Sequence, residues 1–284
     1  MKVAVVANIM KDGVKLLVPP FINELKKENI DAQVQDTLYP ILGEGYIYCP
    51  LKTLFNDADM IISFGGDGTI LRTARDSVGT GIPILGVNLG KVGFLAEISP
   101  AELLYVPARL KNGDFEIMNR MAFIAETNSG EEYFALNDIA MDRNTDTRIL
   151  EFSVSVDDIH AGDFAADGLI ISTPTGSTAH SVSAGGPLVM PECNVIILTP
   201  ICPHSLTLRP LISDGSKKVC VEVLKGLARM AADGQSFIDI PAGCKVYIKR
   251  HENPIKIARF KNKTYFDILH TRLNWGVSLK LKNA

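Results

Sequence analysis

The sequence predicts two domains: a doubly wound, Rossmann-like α/β domain, then an all-β, sandwich-like domain, with a C-terminal tail that packs back on the first. Up to about residue 115, buried strand patterns alternate with helical patterns, as in right-handed βαβ units. After about residue 118, closely spaced strand patterns are separated by short turns rich in Gly, Asp, Asn and Pro. We therefore expect domains at residues 1–117 and 118–260 and the tail at 261–284.

The first domain opens with a continuous apolar run at residues 3–7, typical of a strand buried on both faces of a parallel sheet. Apolar residues at helical spacing from Val14 to Leu25 then predict an amphipathic helix. Further apolar runs predict strands at 30–34, 60–64 and 82–87. This alternation favours a parallel sheet covered by helices.

The second domain and the tail differ in texture. The tail has a helical, amphipathic pattern over residues 265–275. The second domain has nine predicted strands, at 121–127, 133–141, 149–156, 169–172, 195–199, 218–224, 230–232, 246–249 and 255–260.

Composition excludes several classes of protein. The 284 residues are 46% hydrophobic and 21% charged, with a net charge of −3, which fits a globular protein with a large core. That charge gives no bulk basicity for nucleic acid or an anionic membrane, so any phosphate recognition must be local. The five cysteines are odd in number and form no CxxC pair, which argues against disulfides or a zinc site. No apolar run approaches the roughly 18 residues of a membrane span, and we expect a cytoplasmic protein.

A glycine-rich turn, GGDGT at residues 65–69, follows the strand predicted at 60–64 and precedes a helical pattern. Glycines permit positive φ angles and a close approach of the backbone to a ligand, and N–H groups at a helix start suit phosphate. Asp67 in such a turn indicates a metal or a proton-transfer task, or else the N-cap of the helix. The turn is neither a Walker A loop nor a dinucleotide fingerprint, since Leu71 stands where a third glycine would.

A second cluster spans residues 167–187, where an apolar strand runs into a stretch dense in hydroxyls and glycines. Many short donors and acceptors with little bulk suit a ribose or an amide. The alternative is a solvated Ser/Thr/Gly loop.

Together these segments resemble the NAD kinases, and the resemblance covers nearly the whole chain. It rests on segments in the family's order: GGDGT (65–69), Asn137-Asp138, the 167–187 block with TPTGSTA, TPICPHSL (199–206) with Arg209-Pro210, Asp233-Gly234-Gln235, and the tail segments 267–269 and 273–276. A GGDGT turn also occurs in lipid kinases, so its combination with TPTGSTA is the specific signal.

The resemblance implies transfer of the terminal phosphate of ATP, or of polyphosphate in some members, to the 2′-hydroxyl of the adenosine ribose of NAD. It implies a divalent cation such as Mg²⁺ as well. Asp67 matches the general base, and the phosphate-binding positions are Gly65, Gly66, Gly68 and Thr69. Metal ligands are not assigned. The family forms homodimers and homotetramers through the β-rich domain, and we expect the same here.

The resemblance also implies the NAD-binding residues. Two positions differ from the family's usual residues, since Asp138 replaces Glu and His180 replaces Tyr. The implied set is Asp67, Gly68, Arg72, Asn137, Asp138, Arg148, Ala165, Asp167, Thr178, Ala179, His180, Ser181, Val182, Ser183 and Gln235.

Two alternative functions share parts of this pattern. One is a lipid kinase with the GGDGT turn, which leaves TPTGSTA unexplained. The other is a sensor that binds NAD without turnover, against which Asp67 argues.

Overall fold

The computed structural model describes residues 1–90, 93–144, 149–261 and 264–276. It divides into two compact units, one containing Met1–Asn119 and the described residues from Lys256 onward, the other Arg120–Ile255. The predicted fold class, an α/β domain and a β-sandwich domain, is confirmed. Within the described residues, no helix has the length and apolar character needed to cross a membrane.

The strands are numbered in chain order. They are β1 (Lys2–Ala7), β2 (Asp31–Gln35), β3 (Ile47–Cys49), β4 (Met60–Gly65), β5 (Ile84–Asn88), β6 (Glu116–Arg120), β7 (Phe123–Thr127), β8 (Glu132–Ala135), β9 (Asp138–Arg143), β10 (Leu150–Val156), β11 (Ile159–Ala166), β12 (Gly168–Ser172), β13 (Val195–Ile201), β14 (Leu211–Asp214), β15 (Val219–Lys225), β16 (Leu227–Ala232), β17 (Ser236–Pro241), β18 (Lys245–Arg250) and β19 (Ile255–Arg259).

Among the described residues, helices are fewer than strands. The α-helices are α1 (Gly13–Lys27), α2 (Tyr39–Leu42), α3 (Leu51–Leu54), α4 (Asp67–Asp76), α5 (Val106–Lys111), α6 (His180–Ser183) and α7 (Tyr265–Leu273), and 3₁₀ turns occur at Asp36–Leu38, Pro100–Tyr105 and Thr175–Thr178.

The first unit is built on a sheet in the order β3-β2-β1-β4-β5-β19-β6. Strands β1 to β5 pair in parallel, and the order of the strands reverses between β1 and β4. Ligands of such sheets bind beyond the carboxyl ends of the strands at this reversal. Helix α1 covers the sheet with apolar residues at helical spacing, and the Phe21 ring meets the Phe64 ring edge-on at 5.3 Å.

Strand β19 corrects the sequence-based prediction, which placed residues 255–260 in the β-rich domain. In the structure β19 pairs in parallel with β5, with Ile257 beside Ile84 in the first sheet. Ile255, Ile257 and Ala258 are buried, as in a strand covered on both faces. A short apolar run of this kind shows where a strand lies but not which sheet it joins. The helix expected in the tail is present as α7, which begins with a capping box of Thr264 and Asp267.

The second unit consists of two antiparallel sheets, in the orders β11-β10-β15-β18-β7-β8 and β14-β13-β12-β9-β16-β17. Alternate residues of both sheets point into one core, as expected of a sandwich. This core includes Phe123, Phe152 and Ile248 from one sheet and Met141, Leu169 and Met230 from the other.

One predicted strand of this unit is in fact two. The apolar run at 133–141 predicted a single strand, but β8 belongs to one sheet and β9 to the other. The chain changes sheets at Leu136 and Asn137, whose backbone groups bond to residues far along the chain rather than to a neighbouring strand. Strands β11, β14 and β17 were missed because their residues are largely exposed or half-buried and lack an apolar run.

Candidate active site

The GGDGT turn lies at the carboxyl end of β4, next to the reversal of strand order. Gly66 is the N-cap of α4, with φ −127° and ψ −169°, and Asp67 is the first helical residue. Asp67 is therefore not the N-cap, which corrects the alternative reading of the turn. Its negative charge lies in the first turn of α4, where the helix dipole favours an anion.

The expectation of positive φ angles in the GGDGT turn is wrong. Its glycines matter instead because they lack a Cβ atom, which leaves room for neighbouring side chains and for a ligand. Gly66 is extended, Gly68 is helical, and Gly65 is absent from the positive-φ residues. A Cβ atom on Gly65 would collide with the side chain of Thr69. Among the described residues other than its chain neighbours, no atom lies within 4 Å of a Cβ built on Gly66, so its backbone is open to approach by a ligand.

The Asp67 carboxylate is held by the backbone of a loop that follows β5. Oδ2 accepts the N–H of Phe94 at 2.7 Å, and Oδ1 accepts those of Leu95 and Ala96, each at 3.0 Å. Gly93 permits this approach, because a Cβ there would overlap the carboxylate. Three N–H donors fix the side chain, yet a carboxylate has about four acceptor positions. Oδ2, with a single bond, retains capacity for a hydroxyl donor.

Asn88 is a candidate site residue that the sequence patterns did not indicate. It ends β5 opposite Gly65, and its side chain is almost fully buried. Oδ1 accepts the N–H of Gly90 at 2.8 Å, whereas the buried Nδ2 has no hydrogen-bond partner among the residues that the structure describes. A buried amide N–H without an acceptor is costly, so it is available to an incoming oxygen. No motif indicates this; only the register of β4 and β5 does.

The other predicted residues of this unit lie on α4. Gly68 is exposed in its first turn, and Thr69 packs against Gly65. The Arg72 side chain is 63% exposed and lies 3.6 Å from Asp76, one turn further on. This pair holds Arg72 loosely, because exposed i,i+4 pairs contribute only a few tenths of a kcal/mol.

In the second unit, Asn137 and Asp138 lie where the chain enters β9. Asn137 is half-buried, and Asp138 is only 4% exposed. Burial, and next the negative charges of Asp233 and Asp142, raise the pKa of Asp138 to about 7. Burial also raises the pKa of Asp142, and the charge of the nearby His180 acts in the opposite direction. Asp138 is thus a carboxyl group that titrates near neutrality.

The hydroxyl-rich block folds largely through bonds within itself and to nearby strands. Ser177 Oγ donates to the carbonyl of Pro174 at 2.7 Å, Thr178 Oγ1 donates to that of Thr175 at 3.2 Å, and Ser181 Oγ lies 2.9 Å from Thr199 Oγ1. Among the described hydroxyls of the block, Thr175 Oγ1 is buried without a partner. The exposed edge of the block is α6, which begins at His180 and ends at Ser183 with Val182 half-buried between them.

The remaining predicted residues lie on neighbouring segments of this unit. Asp167, just before β12, is 3.7 Å from Arg143 at the end of β9. Ala165 is half-buried on β11, and Ala179 links the 3₁₀ turn to α6. Gln235 lies in the turn between β16 and β17. Arg148 lies outside the described residues.

No cluster of three or more His, Cys, Asp or Glu side chains suited to a metal ion occurs in the described part of the chain. Of the Asp67 carboxylate, only Oδ2 has acceptor capacity left, and it is the position that a hydroxyl donor would use. Mg²⁺ in nucleotide enzymes usually keeps several waters and binds phosphates of the substrate, so phosphates and water would supply most of its ligands here.

Comparison with known proteins identifies the family. Residues 6–115 match the model of the ATP-NAD kinase N-terminal domain, and residues 136–260 match that of the ATP-NAD kinase C-terminal domain. The NAD kinase of Moorella thermoacetica is 36% identical over 98% of this chain and 90% of its own. That of Chlorobium phaeovibrioides is 36% identical over 97% of this chain and 99% of its own.

Two solved structures of NAD and NADH kinases are also similar to this chain. An NAD kinase from Archaeoglobus fulgidus in complex with ATP matches with a TM-score of 0.77 and 29% identity, covering 96% of this chain and 99% of that one. A yeast NADH kinase complexed with NADH has the same fold, with a TM-score of 0.90 at 23% identity over 99% of this chain and 89% of its own. By both domain models and by its relatives, the chain belongs to the NAD kinase family.

Proposed function

We propose that this chain phosphorylates the 2′-hydroxyl of the adenosine ribose of NAD with ATP, giving NADP. Membership of the NAD kinase family supports this, and the structural observation behind it is the Asp67 carboxylate, held by three backbone N–H groups at the start of α4. The relatives give no support to a lipid kinase or to a sensor without turnover.

Asp67 acts in this proposal as the general base. Phosphoryl transfer passes through a loose transition state, so the base mainly orients the nucleophile and receives its proton late. Rigid placement therefore matters more than basicity, and the loop that holds Asp67 supplies it. The proton moves from the ribose hydroxyl to Oδ2, the oxygen with acceptor capacity left.

The glycine turn receives the phosphates of the donor. Gly65, Gly66, Gly68 and Thr69 lie where the amino end of α4 favours an anion. Asn88 Nδ2, buried without a partner, offers one further donor to a phosphate oxygen. A divalent cation, Mg²⁺ in our proposal, neutralises charge on the phosphates when bound.

The second unit binds NAD. Asn137 and Asp138 hold the ribose hydroxyls, and His180 stacks on the dinucleotide in place of the tyrosine usual in the family. The other proposed contacts are Gly68, Arg72, Arg148, Ala165, Asp167, Thr178, Ala179, Ser181, Val182, Ser183 and Gln235. We further propose a cytoplasmic homodimer or homotetramer.

A donor and acceptor panel tests the function. The purified chain is incubated with Mg²⁺ and each pairing of ATP or polyphosphate with NAD, NADH or diacylglycerol, and the products are separated by mass spectrometry. We expect NADP from NAD and ATP. A phosphorylated lipid, or bound NAD with no NADP, would contradict the proposal.

A further inference from the structure

We propose that Asp233 is a positioning residue of the acceptor site: its carboxylate fixes the backbone of residues 136–138, from which the Asn137 and Asp138 side chains extend. The inference extends the proposed function, on which it rests, because it concerns how the ribose-binding pair Asn137-Asp138 is held. Asp233 itself is assigned no contact with substrate.

The Asp233 carboxylate accepts hydrogen bonds from backbone N–H groups where the chain passes from one sheet to the other. Between β8 and β9 the chain leaves one sheet for the other, and three consecutive N–H groups turn toward the Asp233 side chain. Oδ2 accepts the N–H of Leu136 at 2.9 Å, and Oδ1 accepts those of Asn137 at 2.7 Å and Asp138 at 3.2 Å. An asparagine has a single acceptor oxygen, so only a carboxylate satisfies all three on both of its oxygens.

The backbone conformation of the turn at Asp233 places its carboxylate beside residues 136–138. Asp233 and Gly234 have φ angles of 52° and 63°, and the N–H of Gln235 bonds to the carbonyl of Ala232, which makes a type I′ hairpin turn. Aspartate is among the few residues that tolerate this left-handed conformation. The backbone N–H of Asp233 also bonds to the carbonyl of Asp138 at 2.9 Å, so main chain and side chain fix the same segment.

Thr173 holds the segment from the carbonyl side. Its Oγ1 donates to the carbonyl of Leu136 at 2.7 Å, and its N–H donates to that of Asn137 at 2.8 Å. Gly176 lies against the Asn137 backbone so closely that a Cβ there would overlap it. The peptide groups before and after Asn137 are therefore hydrogen-bonded on both sides, so the Asn137 and Asp138 side chains extend from a rigid backbone.

Asp233 acts on Asp138 through charge as well. The charged groups that face Asp138 are Asp233 on the β16–β17 turn and Asp142 on β9, and His180 on α6 acts on Asp142. With a pKa of about 7, Asp138 is a mixture of acid and carboxylate near neutral pH. Ribose hydroxyls donate to the carboxylate form. The catalytic efficiency kcat/KM for NAD should therefore rise with pH through about 7, at a midpoint that Asp233 helps to set.

Asp233→Asn tests both roles. The amide nitrogen takes the place of one oxygen and meets an N–H donor, and the negative charge near Asp138 is lost. We expect the KM for NAD to rise about tenfold or more, the KM for ATP to stay within about twofold, and kcat to fall much less. The midpoint of kcat/KM for NAD should move at least about half a pH unit lower, because loss of a neighbouring like charge lowers the pKa of Asp138.

Asp157→Asn is the matched control. Asp157 also has a positive φ, 48°, and its carboxylate also accepts a backbone N–H from far along the chain, that of Lys218 just before β15, at 2.9 Å. It lies in the β10–β11 turn and should change neither the KM for NAD nor the pH midpoint. Equal effects from the two variants, or wild-type KM and midpoint in Asp233→Asn, would overturn the proposal.

Thr173 separates positioning from charge and covers the case in which Asp233→Asn fails to fold. Thr173→Val should raise the KM for NAD while leaving the pH midpoint in place, and Thr173→Ser should restore the KM. A wild-type KM in Thr173→Val would contradict the positioning role. NMR titration of Asp138 and exchange rates of the Leu136–Asp138 amides test the inference without turnover. A wild-type chain that makes no NADP refutes the proposed function alone.

Discussion

Replacing Asp67 by asparagine is the most informative change to the proposed base. The variant keeps the shape of the side chain, removes its charge and leaves one acceptor oxygen. If that oxygen stays with Leu95 and Ala96, the new NH₂ group faces the N–H of Phe94, which was bonded at 2.7 Å. The variant therefore loses the proton acceptor and part of the contact that holds the loop.

The expected loss in kcat is about 10²- to 10⁴-fold, the usual contribution of a general base. At about 1.36 kcal/mol for each tenfold change, this corresponds to about 2.7–5.4 kcal/mol of transition-state stabilisation. The unsatisfied Phe94 N–H should lower the free energy of unfolding by about 1–3 kcal/mol. The affinity for NAD should stay within about threefold, because the proposed binding groups lie mainly on other segments.

The assay couples NADP formation to an NADP-specific dehydrogenase, with NAD affinity measured by calorimetry. Asp59→Asn is a matched control, since Asp59 precedes β4 and its carboxylate accepts the N–H of Lys2 at 2.7 Å. A further variant, Gly93→Ala, displaces the Asp67 carboxylate without changing its chemistry, because the added Cβ overlaps it. We expect Gly93→Ala to lose at least about tenfold in kcat and Asp59→Asn to lose none. Near-normal kcat in Asp67→Asn would refute the base assignment.

Three further changes test other parts of the site. Asn88→Asp keeps an acceptor for the Gly90 N–H but replaces the Nδ2 donor with a negatively charged oxygen. Because this oxygen repels phosphate, we expect steady-state kinetics to show the KM for ATP raised about tenfold. An unchanged KM for ATP would exclude Asn88 from phosphate binding. Asp138→Asn should raise the free energy of unfolding at pH 8 by about 2 kcal/mol while lowering kcat/KM for NAD. The sign follows from the pKa of about 7: the folded state binds the Asp138 proton more tightly than the unfolded state does, so wild-type stability from this group falls as pH rises from about 4 to 7. Chemical denaturation at pH 5 and pH 8 checks this, and a variant no more stable than wild type at pH 8 would contradict it. His180→Tyr should be tolerated and bind NAD severalfold more tightly by calorimetry, through the larger ring; a large loss of both affinity and rate would show that the imidazole has a task of its own.

Much of the fold and part of the site follow from local sequence patterns. The alternation of strands and helices and the GGDGT turn are contiguous signals, and they indicated the parallel sheet and Asp67. The partners of Asp67 did not follow, because the N–H groups of residues 94–96 reach it only through the packing of the loop after β5 against α4. Gly65 was expected to allow a positive φ angle, but glycine is needed there because a Cβ would collide with the Thr69 side chain. A steric requirement of this kind leaves no pattern in the sequence.

The second unit shows the same limit more clearly. Asp-Gly pairs such as that at 233–234 are common in hairpin turns, and nothing local reveals that the Asp233 carboxylate bonds to a segment nearly a hundred residues earlier. The break between β8 and β9 was hidden for a related reason, because apolar residues lie on both sides of Asn137-Asp138 and a polar pair inside a stretch of this length does not show that the chain changes sheets there. Long-range hydrogen bonds of this kind are set by tertiary structure, which periodicity does not encode.

The most direct test follows the phosphate itself. The chain is incubated with NAD, Mg²⁺ and ATP labelled in its terminal phosphate, and the labelled product is located by ³¹P NMR and enzymatic cleavage. We predict that the label enters the 2′-position of the adenosine ribose, and that Asp67→Asn slows this transfer at least about 10²-fold while the Asp59→Asn protein keeps the wild-type rate. Label that remains in ATP and free phosphate, or that reaches the ribose equally well without the Asp67 carboxylate, would contradict the account.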